Sequence, residues 1–127
     1  MSDAQPHLAR ARASLEFARF ALSAGFTEEA GRGAYMAAFH AAMAFIAHRT
    51  GKTPKTHRGV RSEFARLAKA EGCFTQPQVG LLGWSYELKT AADYGGSAEE
   101  VDVSDVERAI SEASGLLGLV EELTRSV

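Results

Sequence analysis

The sequence predicts an all-α protein, an up-and-down antiparallel four-helix bundle with an additional helix, in a single domain over residues 1–127. Apolar residues recur at three- and four-residue spacing along most of the chain, and runs of strict apolar/polar alternation are absent. Gly, Thr, Ser and Pro stand where helices would start and stop. The segments between these stops are short, which favours antiparallel neighbours.

The first helix is expected over residues 4–24, with Leu8, Ala11, Leu15, Ala18 and Leu22 on one side and Gly25 as the stop. The second is expected to start at Thr27 as N-cap, followed by Glu28 and Glu29, whose charge suits a helix N-terminus, and to end before Gly51. It contains "AYMAAFHAAMAFIA", Ala34 to Ala47, in which His40 is the one residue that is neither apolar nor aromatic. A helix apolar nearly all round belongs at the centre of a bundle. Gly31 and Gly33 each cost such a helix about 1 kcal/mol relative to Ala, a cost that a close helix crossing or a partner surface near Arg32 would offset.

The third helix runs from about Thr56, as N-cap, to Glu71, with Gly72 as its end. The fourth begins near Pro77, which tolerates a first-turn position because no amide donor is needed there. Leu81, Leu82, Trp84 and Leu88 form its apolar side, and Gly95-Gly96 close it. The fifth opens on Ser104-Asp105-Val106-Glu107, which has the form of a capping box, and continues with Ile110, Ala113, Leu117 and Val120 on the side of Val106.

At this length roughly two-thirds of the unfolded surface can be buried, so neither a metal nor a disulfide is needed for stability. Cys73 is the only cysteine; it suits a reducing cytosol, reads as a small thiol, and excludes a zinc site of the usual spacing. The polar, arginine-containing N-terminus lacks the pattern of a secretory signal, and the apolar run around His40 is shorter than the roughly 20 residues a membrane span needs. A cytoplasmic protein with no membrane contact and no cofactor is expected. The net charge of −2 creates no global field for nucleic acid, so any contact with RNA must use a local patch. One candidate patch exists: Arg49, Lys52, Lys55, Arg58, Arg61, Arg66 and Lys69 lie within one segment with a single acid, Glu63. The last thirty residues are acidic by contrast.

Three groups of polar residues carry the candidate chemistry. His40 needs a hydrogen-bond partner if it is buried. Arg32, eight residues earlier, is about 12 Å along the axis and about 80° around it, too far for an intrahelical pair but placed to line a groove or a dimer seam. Tyr86, Lys89 and Asp93 fall within about 60° on the fourth helix, and Lys89 and Asp93 have the spacing of an ion pair. In "GKTPKTHRGVR", His57, Arg58 and Arg61 crowd the start of the third helix, where positive charge opposes the macrodipole and an anion would relieve it. A solvated basic face accounts for the same residues without a ligand.

Three blocks in order, "RGAYMAAFHAAMAFI", "KTHRGV" and "ELKTAADYG", resemble the HEPN domain (higher eukaryotes and prokaryotes nucleotide-binding), most closely its small single-domain prokaryotic members. The resemblance covers about residues 8–125. It implies a four-helix bundle with an extra helix, usually a homodimer. It also implies either a metal-independent ribonuclease of a toxin–antitoxin or defence system, or a non-catalytic partner of a small nucleotidyltransferase that binds nucleotide or RNA. In ribonuclease members four to six residues separate an Arg from a following His, with His in proton transfer and Arg on phosphate. Here seven residues separate Arg32 from His40 and Arg49 from His57, and Lys89 stands where the family has Arg. That departure favours a binding component. The expected phosphate-binding residues are Arg32, Lys55, His57, Arg58 and Lys89. For the catalytic alternative they are His57, His40 and Arg32. Tyr35, His40, Tyr86, Asp93 and Tyr94 are expected to brace the fold, and no metal ligands are expected. A helical adaptor that contacts proteins only is the third reading.

Overall fold

The computed structural model describes residues 3–94 and 101–125, with the side chain of Tyr94 outside that description. The described residues form five α-helices and no strand: α1 (Ala4–Ser23), α2 (Thr27–Thr50), α3 (His57–Glu71), α4 (Gln76–Tyr94) and α5 (Val103–Thr124). The expected stop at Gly95-Gly96 lies outside the described residues. None of the helices is long and apolar enough to cross a membrane.

α2 packs against all four other helices, and no other helix does so. Its alanine-rich sequence is the reason. Ala34, Ala37, Ala38, Ala41, Ala42 and Ala44 are fully buried and let neighbours approach on several sides. Gly33 goes further: a Cβ there would come within 3.0 Å of Ala18 Cβ and of the Phe17 ring, so the α1–α2 crossing requires its absence. Gly31 meets only ordinary van der Waals neighbours, Val106 and Leu88, and is under no such constraint.

Cross-helix contacts give the directions. Arg12 reaches Glu121 and Arg19 reaches Ser114, so α1 and α5 are antiparallel. Arg32 meets Asp93 and Tyr35 meets Tyr86, so α2 and α4 are antiparallel. α1, α2, α4 and α5 form the up-and-down bundle, and α3 is the additional helix. α3 does not follow the short-loop rule. His57 stacks beside Phe39, Phe64 packs on Phe45, and Arg49 pairs with Glu71, so α3 starts alongside the middle of α2 and runs parallel to it. The six residues between α2 and α3 are enough to double back by about 20 Å.

The helix ends partly follow expectation. Thr56 caps α3 by accepting from Gly59 N at 2.9 Å, and α2 and α3 end at Gly51 and Gly72. Two expected caps are corrected. Thr27 is the first helical residue rather than the N-cap, because the turn after α1 bonds Phe26 N to Ala21 O at 2.8 Å and places Phe26 at the cap. α5 is capped by Asp102 rather than Ser104: the Asp102 carboxylate accepts from Ser104 N at 2.8 Å and Ser104 Oγ at 2.9 Å, which holds its pKa below the usual value. The reciprocal capping box occurs instead at α4. There Thr75 N donates to Gln78 Oε1 at 2.8 Å and Gln78 N donates to Thr75 Oγ1 at 3.2 Å.

Candidate functional site

Residues one helical turn apart share a face, and three such faces meet where α3 begins. α2 presents Tyr35 and Phe39, α3 presents His57 and Arg61, and α4 presents Tyr86, Lys89 and Asp93. The start of α3 is held by the Thr56 cap and by close packing of Pro54 over Gly59, where a Cβ would come within 3.0 Å of Pro54 Cβ.

His57 is pinned although it is exposed. Its ring stacks on Phe39 with centroids 4.4 Å apart and planes 20° apart, and lies at 17° to the Tyr35 ring at 5.7 Å. Its Nδ1 is 2.7 Å from the Tyr35 hydroxyl. Tyr35 is fully buried, so this bond satisfies a hydroxyl that would otherwise cost about 1–3 kcal/mol to bury. Tyr35 also meets Tyr86 edge-on at 5.5 Å. The Arg61 guanidinium lies over the outer Tyr86 ring at 4.4 Å, and Lys89 Nζ is 5.8 Å from the same centroid.

Lys89 and Asp93 form the expected ion pair at 2.6 Å, and Arg32 reaches the same carboxylate at 3.4 Å as well as Glu29 at 3.5 Å. The hydrogen bond from Lys89, assisted by Arg32, holds the Asp93 carboxyl below its usual pKa. Arg61 makes no ion pair among the described residues. Partial burial, together with Lys89 and Arg61, pushes the His57 imidazole below its ordinary pKa and keeps it neutral at pH 7. Burial raises the Tyr35 pKa, against the pull of Arg61, so the hydroxyl keeps its proton.

With Nδ1 committed to Tyr35, Nε2 is the His57 nitrogen left for a ligand. If Tyr35 donates to Nδ1, Nε2 carries a proton and donates. If Nδ1 donates to Tyr35, Nε2 is a base. Either form sits beside cations only partly compensated by carboxylates, an arrangement suited to a phosphate.

Arg32, His57, Lys89, Tyr35, Tyr86 and Asp93 thus come together as one cluster. Lys55 and Arg58 flank it from the loop and first turn, exposed and without an ion pair among the described residues. His40 does not join them. It meets Phe39 edge-on at 5.5 Å, and burial, Arg10 and His7 drive its pKa to about 4. Its Nδ1 is buried with no partner, so His40 is a neutral, half-buried residue facing α1. Arg49, the other arginine with a histidine eight residues on, is bound to Glu71 and lies 5.6 Å from the Phe45 centroid, at the far end of α3. Tyr94 ends α4 in the chain, and its side chain lies outside the description.

Sequence reasoning placed Arg61 in the basic group at the start of α3 but not among the expected phosphate-binding residues, and it did not assign Phe39. The usable signal was spacing, since Phe39 is four residues from Tyr35 and Arg61 four from His57. Among the described residues no three His, Cys, Asp or Glu side chains come together as a metal site. No curated protein matches the chain. The family model for the HEPN domain matches residues 4–123, nearly the whole length, and the arrangement of helices agrees with it. The chain belongs to the HEPN domain family.

Proposed function

We propose that this chain is a HEPN-type helical binding protein that holds the phosphate of a nucleotide or of RNA on His57, Arg61 and Lys89, with Arg32, Lys55 and Arg58 around them. The observation that carries this reading is Arg61, a guanidinium set on an aromatic face with no carboxylate partner among the described residues, beside a neutral histidine whose ring is pinned. A guanidinium left uncompensated in a rigid setting is prepared for an anion. Membership of the family supports the rest of the reading, a homodimer in the cytoplasm that works with a nucleotidyltransferase-type partner as in toxin–antitoxin pairs. A purely protein-binding adaptor would need an acidic partner to engage Arg61.

Titration calorimetry with AMP, ATP and a short single-stranded RNA tests the reading. Binding is expected to weaken with rising salt and to weaken at least tenfold in R61A. Salt-insensitive binding, or binding unchanged in R61A, defeats it.

The Tyr35–His57 bond favours a second reading, that of a metal-independent ribonuclease. With Nδ1 donating to Tyr35, His57 Nε2 accepts the proton of a ribose 2′-hydroxyl as that oxygen attacks the adjacent phosphorus. The bond from phosphorus to the 5′-oxygen of the next nucleotide breaks, that oxygen leaves as a hydroxyl with a proton from water, and Arg61 takes the charge developing on the phosphate. RNA incubated with the protein in excess EDTA would then give 2′,3′-cyclic phosphate ends, and H57A would not. Intact RNA with the wild-type protein rules this reading out.

A further inference from the structure

The seam between α4 and α5 opens into a cavity of about 210 Å³, walled by Pro77, Gly80, Leu81 and Trp84 from α4 and by Arg108 and Glu112 from α5. Leu81 is buried in the core and the half-buried Trp84 packs against it, so the apolar wall is anchored. The Arg108 guanidinium lies over the Trp84 ring, 4.7 Å from its centroid. With Arg108 level with Trp84 in antiparallel helices, Glu112 comes level with Gly80, about 6 Å away along the axis.

Two features of this cavity are not explained by packing. Arg108 and Glu112 have the order and spacing of Lys89 and Asp93, which pair at 2.6 Å, yet neither forms an ion pair among the described residues. The guanidinium is held on the indole instead, and the half-buried Glu112 carboxylate has no cation among those residues. Gly80 lies inside α4, where glycine weakens a helix relative to alanine, although a Cβ there would meet no atom within 4 Å. The fold does not require glycine at this position. Its bare backbone widens the cavity beside Glu112.

A ligand suited to these walls carries both charges and an apolar group. An anion alone is repelled by Glu112, and a cation alone is repelled by Arg108. A zwitterion satisfies both, with a carboxylate on the guanidinium and an ammonium on Glu112 in charge-assisted hydrogen bonds. Pro77, Leu81 and Trp84 then line the space for its side chain. Because Arg108 already covers the Trp84 ring, an aliphatic side chain fits better than a second ring. An apolar lining with a few polar groups that fix orientation is the general form of a small-molecule site.

We propose that the α4–α5 cavity binds a free α-amino acid with an aliphatic side chain, its carboxylate on Arg108 and its ammonium on Glu112. The site uses none of the residues of the phosphate cluster and stands whether or not that cluster binds nucleotide. Trp84 is the only tryptophan in the chain, so its fluorescence reads the cavity directly. L-Leucine is expected to change Trp84 emission saturably, with affinity at least tenfold lower in R108A and in E112Q. L-Leucinamide, which lacks the carboxylate, and 4-methylpentanoate, which lacks the ammonium, are expected to bind at least tenfold more weakly than L-leucine. Gly80→Leu fills the cavity and is expected to abolish the change while helix content is retained, which separates loss of the site from loss of the fold. No saturable change up to about 10 mM L-leucine overturns the proposal, as does equal binding of either analogue. AMP binding by calorimetry is expected to be the same in R108A and the wild type; its loss in R108A would place Arg108 in the phosphate site and overturn the assignment.

Discussion

The two ends of α3 are built from similar parts to different effect. At its C-terminal half, Phe64 packs edge-on against Phe45 at 6.0 Å and Phe74 at 5.5 Å, and Arg49 lies over Phe45 but is tied to Glu71. At its N-terminal end, His57 packs on Phe39 and Tyr35, and Arg61 lies over Tyr86 with no carboxylate partner among the described residues. Both ends put aromatic rings against α2 and an arginine over a ring. One is hydrocarbon closed by an ion pair. The other contains a titratable ring and an arginine that has no counter-charge among the described residues. Packing at the first end holds α3 on the bundle, which allows the second to carry charges that do little for stability.

The sharpest way to break that contrast is to exchange the expected consequences of damage at the two ends. Phe64→Ala removes a fully buried ring and is expected to cost about 3–5 kcal/mol in urea unfolding. His57→Ala removes an exposed ring but leaves the buried Tyr35 hydroxyl without that partner, so it should cost about 1–3 kcal/mol, less than Phe64→Ala, while abolishing phosphate binding. If both variants lose comparable stability, the N-terminal end is part of the core and the division is wrong.

Next in size is the comparison of the two arginines. Arg61→Ala is expected to weaken nucleotide binding tenfold or more, about 1.4 kcal/mol for each factor of ten, with little change in the urea midpoint. Arg49→Ala should do the reverse, lowering stability by at most about 1 kcal/mol and leaving binding intact, because its charge is already engaged. Asp93→Asn sharpens the same point with a smaller effect. It removes the carboxylate that occupies Lys89 and Arg32, so affinity should rise about threefold and fall more steeply with salt. Affinity that drops in D93N would mean that the carboxylate positions the cations rather than competing for them.

Much of this architecture was legible in the spacing of apolar residues. Leu8, Ala11, Leu15 and Ala18 on α1 and Val106, Ile110, Ala113 and Leu117 on α5 all lie in the core. The alanine-rich centre of α2 announced its position, and Lys89 and Asp93 announced their ion pair. What spacing does not encode is direction after a loop. Because α3 runs parallel to α2, His57 arrives beside Phe39 rather than opposite Arg49, and only that placement distinguishes Arg61 from the other cations of the basic segment. Competition for caps was also beyond a linear reading. Ser104 has the right residue three places on, but Asp102 reaches the first free amide and wins. His40 interrupts an apolar run, and sequence leaves it open to a bracing or a catalytic role; burial, with Arg10, His7 and His57 nearby, leaves it neutral.

The smallest effect at neutral pH concerns the two histidines on either side of Phe39, and its sign follows from their environments. In the unfolded chain both titrate near 6.5. In the native protein burial, aided by nearby cations, brings His40 down to about 4 and moves His57 in the same direction. The unfolded state therefore binds more protons as the pH falls below about 6.5, and native stability declines from there toward about pH 4. Above pH 6.5 the two states bind alike and the contribution is constant. His40→Leu keeps the size of the side chain, removes the buried Nδ1 that has no partner, and should flatten this decline while changing little at pH 7. His57→Ala should flatten it less, since that ring is more exposed. Urea midpoints at pH 7 and pH 4.5 for the wild type and both variants measure the difference. If His40→Leu declines as steeply as the wild type, the ring of His40 is not held neutral by the α1–α2 face, and the distinction between a structural histidine on that side of Phe39 and a ligand-facing one on the other is lost.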